Sequence, residues 1–146
     1  MRRRAFTLIE LLVVIGIIGI LAMLVLANTN NARLKARDAT RKSDLRTIKV
    51  SLLNYYNDTN LFKTTIGVVE LTRDSSGLTK DYINSFPDDP RVAQEPTRHY
   101  MYTADANEFA VGAKLENEKD PDIDNSPSNA KAAALHANGM NIYMTN

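Results

Sequence analysis

The feature that most constrains this chain is a long apolar stretch close to its N-terminus, from residue 6 to residue 27. Within it, only Thr7, Glu10 and two glycines interrupt a run of alanine and large apolar side chains. As an α-helix the stretch would be about 33 Å long at about 1.5 Å per residue, which is enough to cross the hydrocarbon core of a bilayer. The rest of the chain has an ordinary soluble composition. The sequence therefore predicts a small domain that one helix tethers to a membrane.

Length and composition exclude several classes of protein. The 146 residues leave room for one domain beside the apolar stretch. The 18 basic and 17 acidic residues nearly cancel, so the bulk charge does not favour a polyanion as the partner. The absence of cysteine excludes a disulfide framework, a cysteine zinc site and a thiol nucleophile. His99 and His136 lack metal-ligand spacing, and no glycine-rich phosphate loop, GxSxG or HExxH motif occurs, so we predict that the protein is not an enzyme.

The residues at the start of the apolar stretch distinguish between interpretations of it. Three arginines, Arg2 to Arg4, precede the stretch, and Glu10 lies inside it. A secretory signal cleaved near Ala27, or a plain membrane anchor, would account for the basic start and the apolar residues. Neither accounts for Glu10, because a carboxylate in hydrocarbon costs several kcal/mol unless it has a partner or lies near the interface. Glu10 therefore predicts a positively charged partner.

The segment RRAFTLIEL at residues 3–11 resembles the processing motif of type IV prepilins and type II secretion pseudopilins. The resemblance implies that a prepilin peptidase cuts between Ala5 and Phe6 on the cytoplasmic side of the membrane and methylates the new amine of Phe6. The family usually has glycine before the cut, where this chain has Ala5. The resemblance also implies that Glu10 pairs with the Phe6 amine of a neighbouring subunit during assembly. Pairing of Glu10 with the amine of its own chain stays open as the alternative.

The chain continues in a way that is similar to pilins. No proline or glycine occurs between residues 28 and 66, and apolar residues recur in this region at three- and four-residue steps. One helix is therefore predicted from Phe6 to about Asn57, apolar in its first half and amphipathic in its second. Alternating apolar residues then predict an antiparallel hairpin within residues 99–115, with one buried face, and a short last strand at 142–144.

The predicted fold class is α+β, with a long N-terminal helix packed on a small antiparallel β-sheet, as in the pilin fold that the resemblance implies. The predicted segments are a leader at 1–5, a membrane-spanning and filament-core half-helix at 6–27, an amphipathic half-helix at 28–57 and a globular head at 58–146. In the connecting loop of the head, Phe86 to Pro90 resembles a stretch that precedes the sheet in G-type pseudopilins and related short pilins, which often have tryptophan next where this chain has Arg91. Its two aspartates, Asp88 and Asp89, are interpreted as turn and hydrogen-bonding residues.

Acidic residues are concentrated after the hairpin. They are Glu116, Glu118, Asp120, Asp122 and Asp124. Calcium prefers several carboxylate oxygens, and residues 120–123 resemble the calcium-binding loop of G-type pseudopilins, which implies Asp120, Asp122 and Asp124 as ligands. The alternative, an acidic loop surrounded by solvent, stays open. No cofactor is required for the predicted function.

The resemblance implies a structural role. The expected function is that of a subunit of a type IV pilus or pilus-like filament, processed by prepilin peptidase and assembled through its N-terminal helix. One alternative is a G-type pseudopilin of a type II secretion system, and another, from a different class, is a membrane-anchored monomeric binding domain. The expected partners are further copies of the chain in a helical homopolymer, prepilin peptidase, an inner-membrane assembly platform of the pilus or secretion system and, before assembly, membrane lipid.

The resemblance also implies a location. The precursor is expected to cross the inner (cytoplasmic) membrane once with its head outside the cytoplasm, and the mature protein is expected in a cell-surface pilus or a periplasmic pseudopilus. Seven basic and two acidic residues lie between Arg33 and Lys49. Such residues suit the phosphates of DNA, acidic residues of neighbouring heads, or water, and DNA is the least favoured of the three because no nucleic-acid motif accompanies them.

Overall fold

The computed structural model of this protein describes residues 6–124 and 129–146. The chain forms two compact units, Met1–Ala36 and Arg37–Asn146, and we call the second the head unit. One helix, α1 (Leu8–Thr59), contributes to both units. Its 52 residues confirm the long N-terminal helix that the sequence predicts.

The first part of α1 has an apolar surface. The large apolar side chains between Phe6 and Leu26 are between 46% and 82% exposed, on all sides of the helix. The most apolar window of α1 has a mean hydropathy of 3.0, and no part of that window is buried. By length and composition, therefore, α1 is able to cross a membrane.

The head unit is built on a small sheet. After α1 come β1 (Val69–Glu70), α2 (Arg73–Ser76), β2 (Met101–Ala104), β3 (Phe109–Ala113), α3 (Ala130–Ala137) and β4 (Ile142–Thr145). The strands form one antiparallel sheet in the order β1-β2-β3-β4, so each strand pairs with the next along the chain. Thr103 lies opposite Ala110 in the predicted hairpin, and Gly112 lies opposite Tyr143 of the last strand. The hairpin, the last strand and the α+β class are thereby confirmed.

The core of the head unit lies between α1 and one face of this sheet. Leu45, Ile48 and Leu52 of α1 are fully buried, as the predicted apolar stripe requires. They belong to one apolar cluster with Tyr102 of β2 and Phe109 of β3, which are also fully buried. Burial of each large apolar side chain contributes about 1.5–3 kcal/mol, so this stripe holds the helix to the sheet by the hydrophobic effect.

β3 differs from the sequence prediction, because all five of its residues are buried rather than every second one. One face of β3 belongs to the core under α1. The opposite face is covered by α3, in which Ala132 and Leu135 are buried. A Cβ atom on Gly112 would lie only 3.3 Å from Leu135 Cδ1 and 3.1 Å from the carbonyl oxygen of Ile142. Glycine at this position therefore lets α3 and β4 pack closely against β3.

Candidate functional site

At the N-terminal end of α1, Thr7 and Glu10 cap the helix reciprocally. The backbone N–H and the hydroxyl of Thr7 each donate to Oε2 of Glu10 at 2.8 Å. In return, the backbone N–H of Glu10 donates to the Thr7 hydroxyl at 3.3 Å. This arrangement is a capping box, in which residues three positions apart satisfy backbone N–H groups that the first helical turn leaves unpaired.

The capping box is a role of Glu10 that the sequence analysis missed. Its signal is present in the sequence, since threonine followed three residues later by glutamate and an apolar run is typical of a helix N-terminus. The pairing of Glu10 with the Phe6 amine stays a prediction. The Phe6 side chain is exposed, whereas Ala5, on the other side of the predicted cut, lies outside the described residues.

In the head unit, the fully buried Arg41 of α1 binds three carboxylates. Its guanidinium donates two hydrogen bonds to Asp89, at 2.7 and 2.9 Å, and one to each of Asp38 and Glu116, both at 2.7 Å. We call these four residues the Arg41 cluster. Burying a charge costs several kcal/mol unless partners and hydrogen bonds compensate it, and here every partner is charged. The cluster therefore joins α1, the loop before β2 and the segment after β3.

Further hydrogen bonds attach the segment after β3 to α1 and to the loop before β2. Asp38 accepts the backbone N–H groups of Glu116 and Asn117 at distances between 2.9 and 3.2 Å. Glu116 also accepts two hydrogen bonds from Arg37, at 2.6 and 2.7 Å, and one from Arg91 at 3.2 Å. In this chain, which has no cysteine, charge-assisted hydrogen bonds thus hold the segment after β3 against α1.

These contacts shift the pKa values of Glu116, Asp89 and Arg41. Hydrogen bonds from Arg37 lower the pKa of Glu116 to about 2, with Arg41 adding to the effect of Arg37 and partial burial opposing it. Burial by itself raises the pKa of Asp89, but hydrogen bonds from Arg41 and from a backbone N–H lower it overall. Burial by itself lowers the pKa of Arg41, but hydrogen bonds to its carboxylate partners raise it overall. Glu116, Asp89 and Arg41 are therefore ionised at neutral pH.

Two of the three predicted calcium ligands bind a lysine in this structure. Nζ of Lys42 lies 2.5 Å from Oδ1 of Asp120 and 2.6 Å from Oδ2 of Asp122. The backbone N–H of Asp124 donates to the carbonyl of Asn141 at 3.0 Å. Within residues 6–124 and 129–146, no three acidic or histidine side chains converge as metal ligands would. Calcium binding at Asp120, Asp122 and Asp124 stays a prediction.

Two family models match this chain. One is described as the prokaryotic N-terminal methylation motif and matches residues 1–26. The other is described as PilW, C-terminal, and matches residues 32–109, just over half of the chain. The chain belongs to the PilW family. Comparison with curated proteins and with solved structures found no match.

Membership of the PilW family and the methylation motif together confirm the resemblance to type IV pilins and pseudopilins. The motif implies a membrane-anchored precursor that prepilin peptidase processes before pilus assembly. A pilin-like family also favours a structural role over catalysis. The PilW match includes Asp38, Arg41 and Asp89 but ends before Glu116, so the third carboxylate of the Arg41 cluster comes from outside the matched region.

Acid should destabilise the head unit through Glu116. Its pKa of about 2 in the folded protein lies below the ordinary value of 4.5, so the ionised carboxylate stabilises the folded state. This contribution is complete above about pH 4.5 and is lost as the pH falls towards 2. We expect Glu116 alone to lower the free energy of unfolding by on the order of 3 kcal/mol over this interval, measured by urea denaturation of a fragment that begins at Asn28. Glu116→Gln should flatten the profile, and parallel profiles for both proteins would contradict this account.

Calcium at the acidic loop would have to displace the ammonium group of Lys42 from Asp120 and Asp122. We predict that millimolar calcium raises the melting temperature of the same fragment, and that Asp120→Ala combined with Asp122→Ala abolishes the rise. At a hundred times its dissociation constant, calcium would add about 2.7 kcal/mol. Lys42→Gln should enlarge the rise, since the competing cation is removed, and magnesium should substitute poorly. A melting temperature that calcium leaves unchanged, in wild type and in Lys42→Gln, would favour the solvent-exposed acidic loop.

Proposed function

We propose that this chain is a structural subunit of a type IV pilus or pilus-like filament, cut between Ala5 and Phe6 and assembled through α1. The observation that carries the proposal is the methylation motif at residues 1–26, which includes the start of a helix whose apolar side chains are exposed in the single subunit. An apolar surface of this extent requires lipid or protein around it. Lipid surrounds it in the precursor, and the same helix of other copies surrounds it in the filament.

Glu10 has a specific role in this proposal. It lies four residues after Phe6, which is about one helical turn. In a filament core of staggered helices, its carboxylate would therefore be within reach of the Phe6 amine of a neighbouring subunit. A carboxylate and an amine attract each other strongly in apolar surroundings, and each reduces the cost of burying the other. We propose that Glu10 selects and aligns the incoming subunit by this pairing.

The same proposal assigns the location and the remaining partners. The precursor crosses the cytoplasmic membrane once with the head unit outside, and an inner-membrane assembly platform extracts it from lipid into the growing filament. The head unit then forms the outer part of a surface filament.

The alternative within the same class is a G-type pseudopilin of a type II secretion system. The stretch from Phe86 to Pro90 is similar to one in G-type pseudopilins and related short pilins. Arg91 follows it, where those proteins often have tryptophan, and this difference favours the pilus. Immunogold labelling separates the two, because a pilus subunit labels sheared surface filaments whereas a pseudopilin stays in the periplasm. Labelling of single molecules in the membrane only, without filaments, would favour a monomeric anchored domain.

The N-terminus of the mature protein tests the proposal most directly. We expect N-terminal sequencing and mass spectrometry of the protein from its own host to find Phe6 as the first residue, carrying a methylated amine. Ala5→Leu should block the cut by adding bulk next to the scissile bond and leave the longer precursor in the membrane. A mature protein that begins at Asn28 would identify an ordinary cleaved signal and overturn the proposed function.

A further inference from the structure

One face of α1 in the head unit is basic and has no partner in the described residues. Of the basic residues between Arg33 and Lys49, Arg37, Arg41 and Lys42 bind carboxylates of their own chain. Arg46 and Lys49 do not, in the part of the chain that the structure describes. Arg46 is exposed and Lys49 is partly exposed, and Val50 beside them is 57% exposed. These three residues form a surface with one apolar side chain and two cations that lack an ion-pair partner in the described residues, and we call it the basic face.

Near the end of α1, the head unit carries a hollow of opposite charge. It has a volume of about 350 Å³ and is lined by Asn54, Asn57, Asp58, Asp81 and Tyr82. Neither aspartate has a basic partner within residues 6–124 and 129–146. The segment that carries Asp81 is fixed against α1, because Ser51 Oγ donates to the carbonyl of Tyr82 at 3.1 Å. The hollow thus presents two carboxylates and two amides, and we call it the acidic hollow.

We infer that the basic face of one subunit docks into the acidic hollow of a second copy of this chain. The inference rests on the proposed filament function and assigns the contact between head units. The partner is a second copy because each molecule carries both a basic face and an acidic hollow, and these two surfaces have opposite charge. Opposite charges across an interface set its register and exclude wrong partners.

The positions of the two surfaces favour a filament over a closed dimer. A helix rises about 1.5 Å and turns about 100° for each residue. Asp58 therefore lies roughly 14 Å from Lys49 along α1 and on the opposite side of the helix, and roughly 18 Å from Arg46 with a rotation of about 120°. The contact is therefore heterologous, since different patches of the two copies meet. A heterologous contact that combines rotation with translation repeats without closing and generates a helical filament.

DNA is the other partner that Arg46 and Lys49 would suit, through contacts with phosphates. DNA would leave the acidic hollow without a function, and its negative charge would repel Asp58 and Asp81. A second copy uses both surfaces. The structure therefore favours contact between subunits.

A charge exchange in the full-length protein, in cells that carry its assembly machinery, tests the inference. Arg46→Glu with Lys49→Glu, and separately Asp58→Lys with Asp81→Lys, should each lower the yield of sheared filaments roughly tenfold, because like charges then face each other. All four changes together should restore the yield to within about twofold of wild type. The matched control is Lys114→Glu with Lys119→Glu, which makes the same change of charge on exposed residues elsewhere and should leave the yield unchanged. Yields are normalised to the mature protein in the membrane, which corrects for folding and processing.

Crosslinking gives a second test that does not depend on charge reversal. The chain has no cysteine, so Lys49→Cys with Asp58→Cys introduces the only two thiols. A short bismaleimide should then link assembled subunits into multimers larger than dimers, whereas one thiol per chain links two copies at most. Filaments of this variant that yield no such multimers would overturn the inference.

The remaining outcomes are also decisive. Wild-type cells that form no filament or pseudopilus would overturn the proposed function and this inference together. Normal filaments from either reversed variant, or no recovery in the fourfold variant, would overturn this inference and leave the proposed function standing. Normal filaments from Arg46→Glu with Lys49→Glu that have lost binding to double-stranded DNA in a mobility-shift assay would assign the basic face to DNA instead.

Discussion

Replacing Arg41 with methionine should lower the free energy of unfolding of the head unit by about 3–5 kcal/mol, the range observed when one partner of a buried ion pair is removed. The substitution leaves three carboxylates without their shared cation, and the side chains of Asp38 and Asp89 are each only 2% exposed. The melting temperature should fall by on the order of 10 °C or more. Thermal and urea unfolding of the fragment from Asn28, followed by circular dichroism, measures both quantities.

Arg46→Met is the matched control for this prediction. Arg46 lies on the same helix, is exposed and has no ion-pair partner within the described residues, so its loss should change the stability by about 0.5 kcal/mol at most. Arg41→Lys should restore only part of the stability, because lysine lacks the planar fork that holds Asp89 with two parallel hydrogen bonds. If Arg41→Met and Arg46→Met unfolded at the same urea concentration, the Arg41 cluster would contribute nothing and the apolar core alone would account for the stability.

Replacing Glu10 with alanine should leave membrane insertion intact and lower the filament yield at least roughly tenfold. The physical reason is that the Phe6 amine of each assembled subunit would be buried in the filament core without its carboxylate partner, which costs several kcal/mol per subunit. The measurement compares sheared filaments with mature protein in the membrane fraction. The change in yield should appear without a change in the amount of inserted protein.

Glu10→Gln separates the two roles of this residue. Glutamine still accepts the hydrogen bonds of the capping box with Thr7, but it carries no charge for an ion pair. If assembly requires the ion pair, Glu10→Gln should lower the filament yield as much as Glu10→Ala does. Wild-type yield from Glu10→Gln would contradict the pairing and leave the helix cap as the function of Glu10. Normal yield from both variants would remove Glu10 from assembly altogether.

Much of the fold could be predicted because it depends on patterns that are local in the sequence. Leu45, Ile48 and Leu52 recur at helical spacing, and a helix with such a stripe buries it whatever the partner surface is. The hairpin likewise follows from alternating residues and a short turn between two strands. The prediction of one buried face on β3 was wrong, because α3 covers the other face. This helix is separated from the hairpin along the chain, and the residues of the strand do not indicate that a helix will pack on them.

The sequence by itself determined the apolar helix, the processing motif and the α+β class of this protein. Each of these depends on residue types and spacings that can be read along the chain without knowing which elements meet in space. Only the tertiary structure decided which charges pair. Arg41 meets Asp89 and Glu116 across separations of 48 and 75 residues, and Lys42 meets Asp120 across 78. An ion pair depends on a distance of a few ångströms in space, and separation along the chain does not determine that distance until the helix has packed on the sheet.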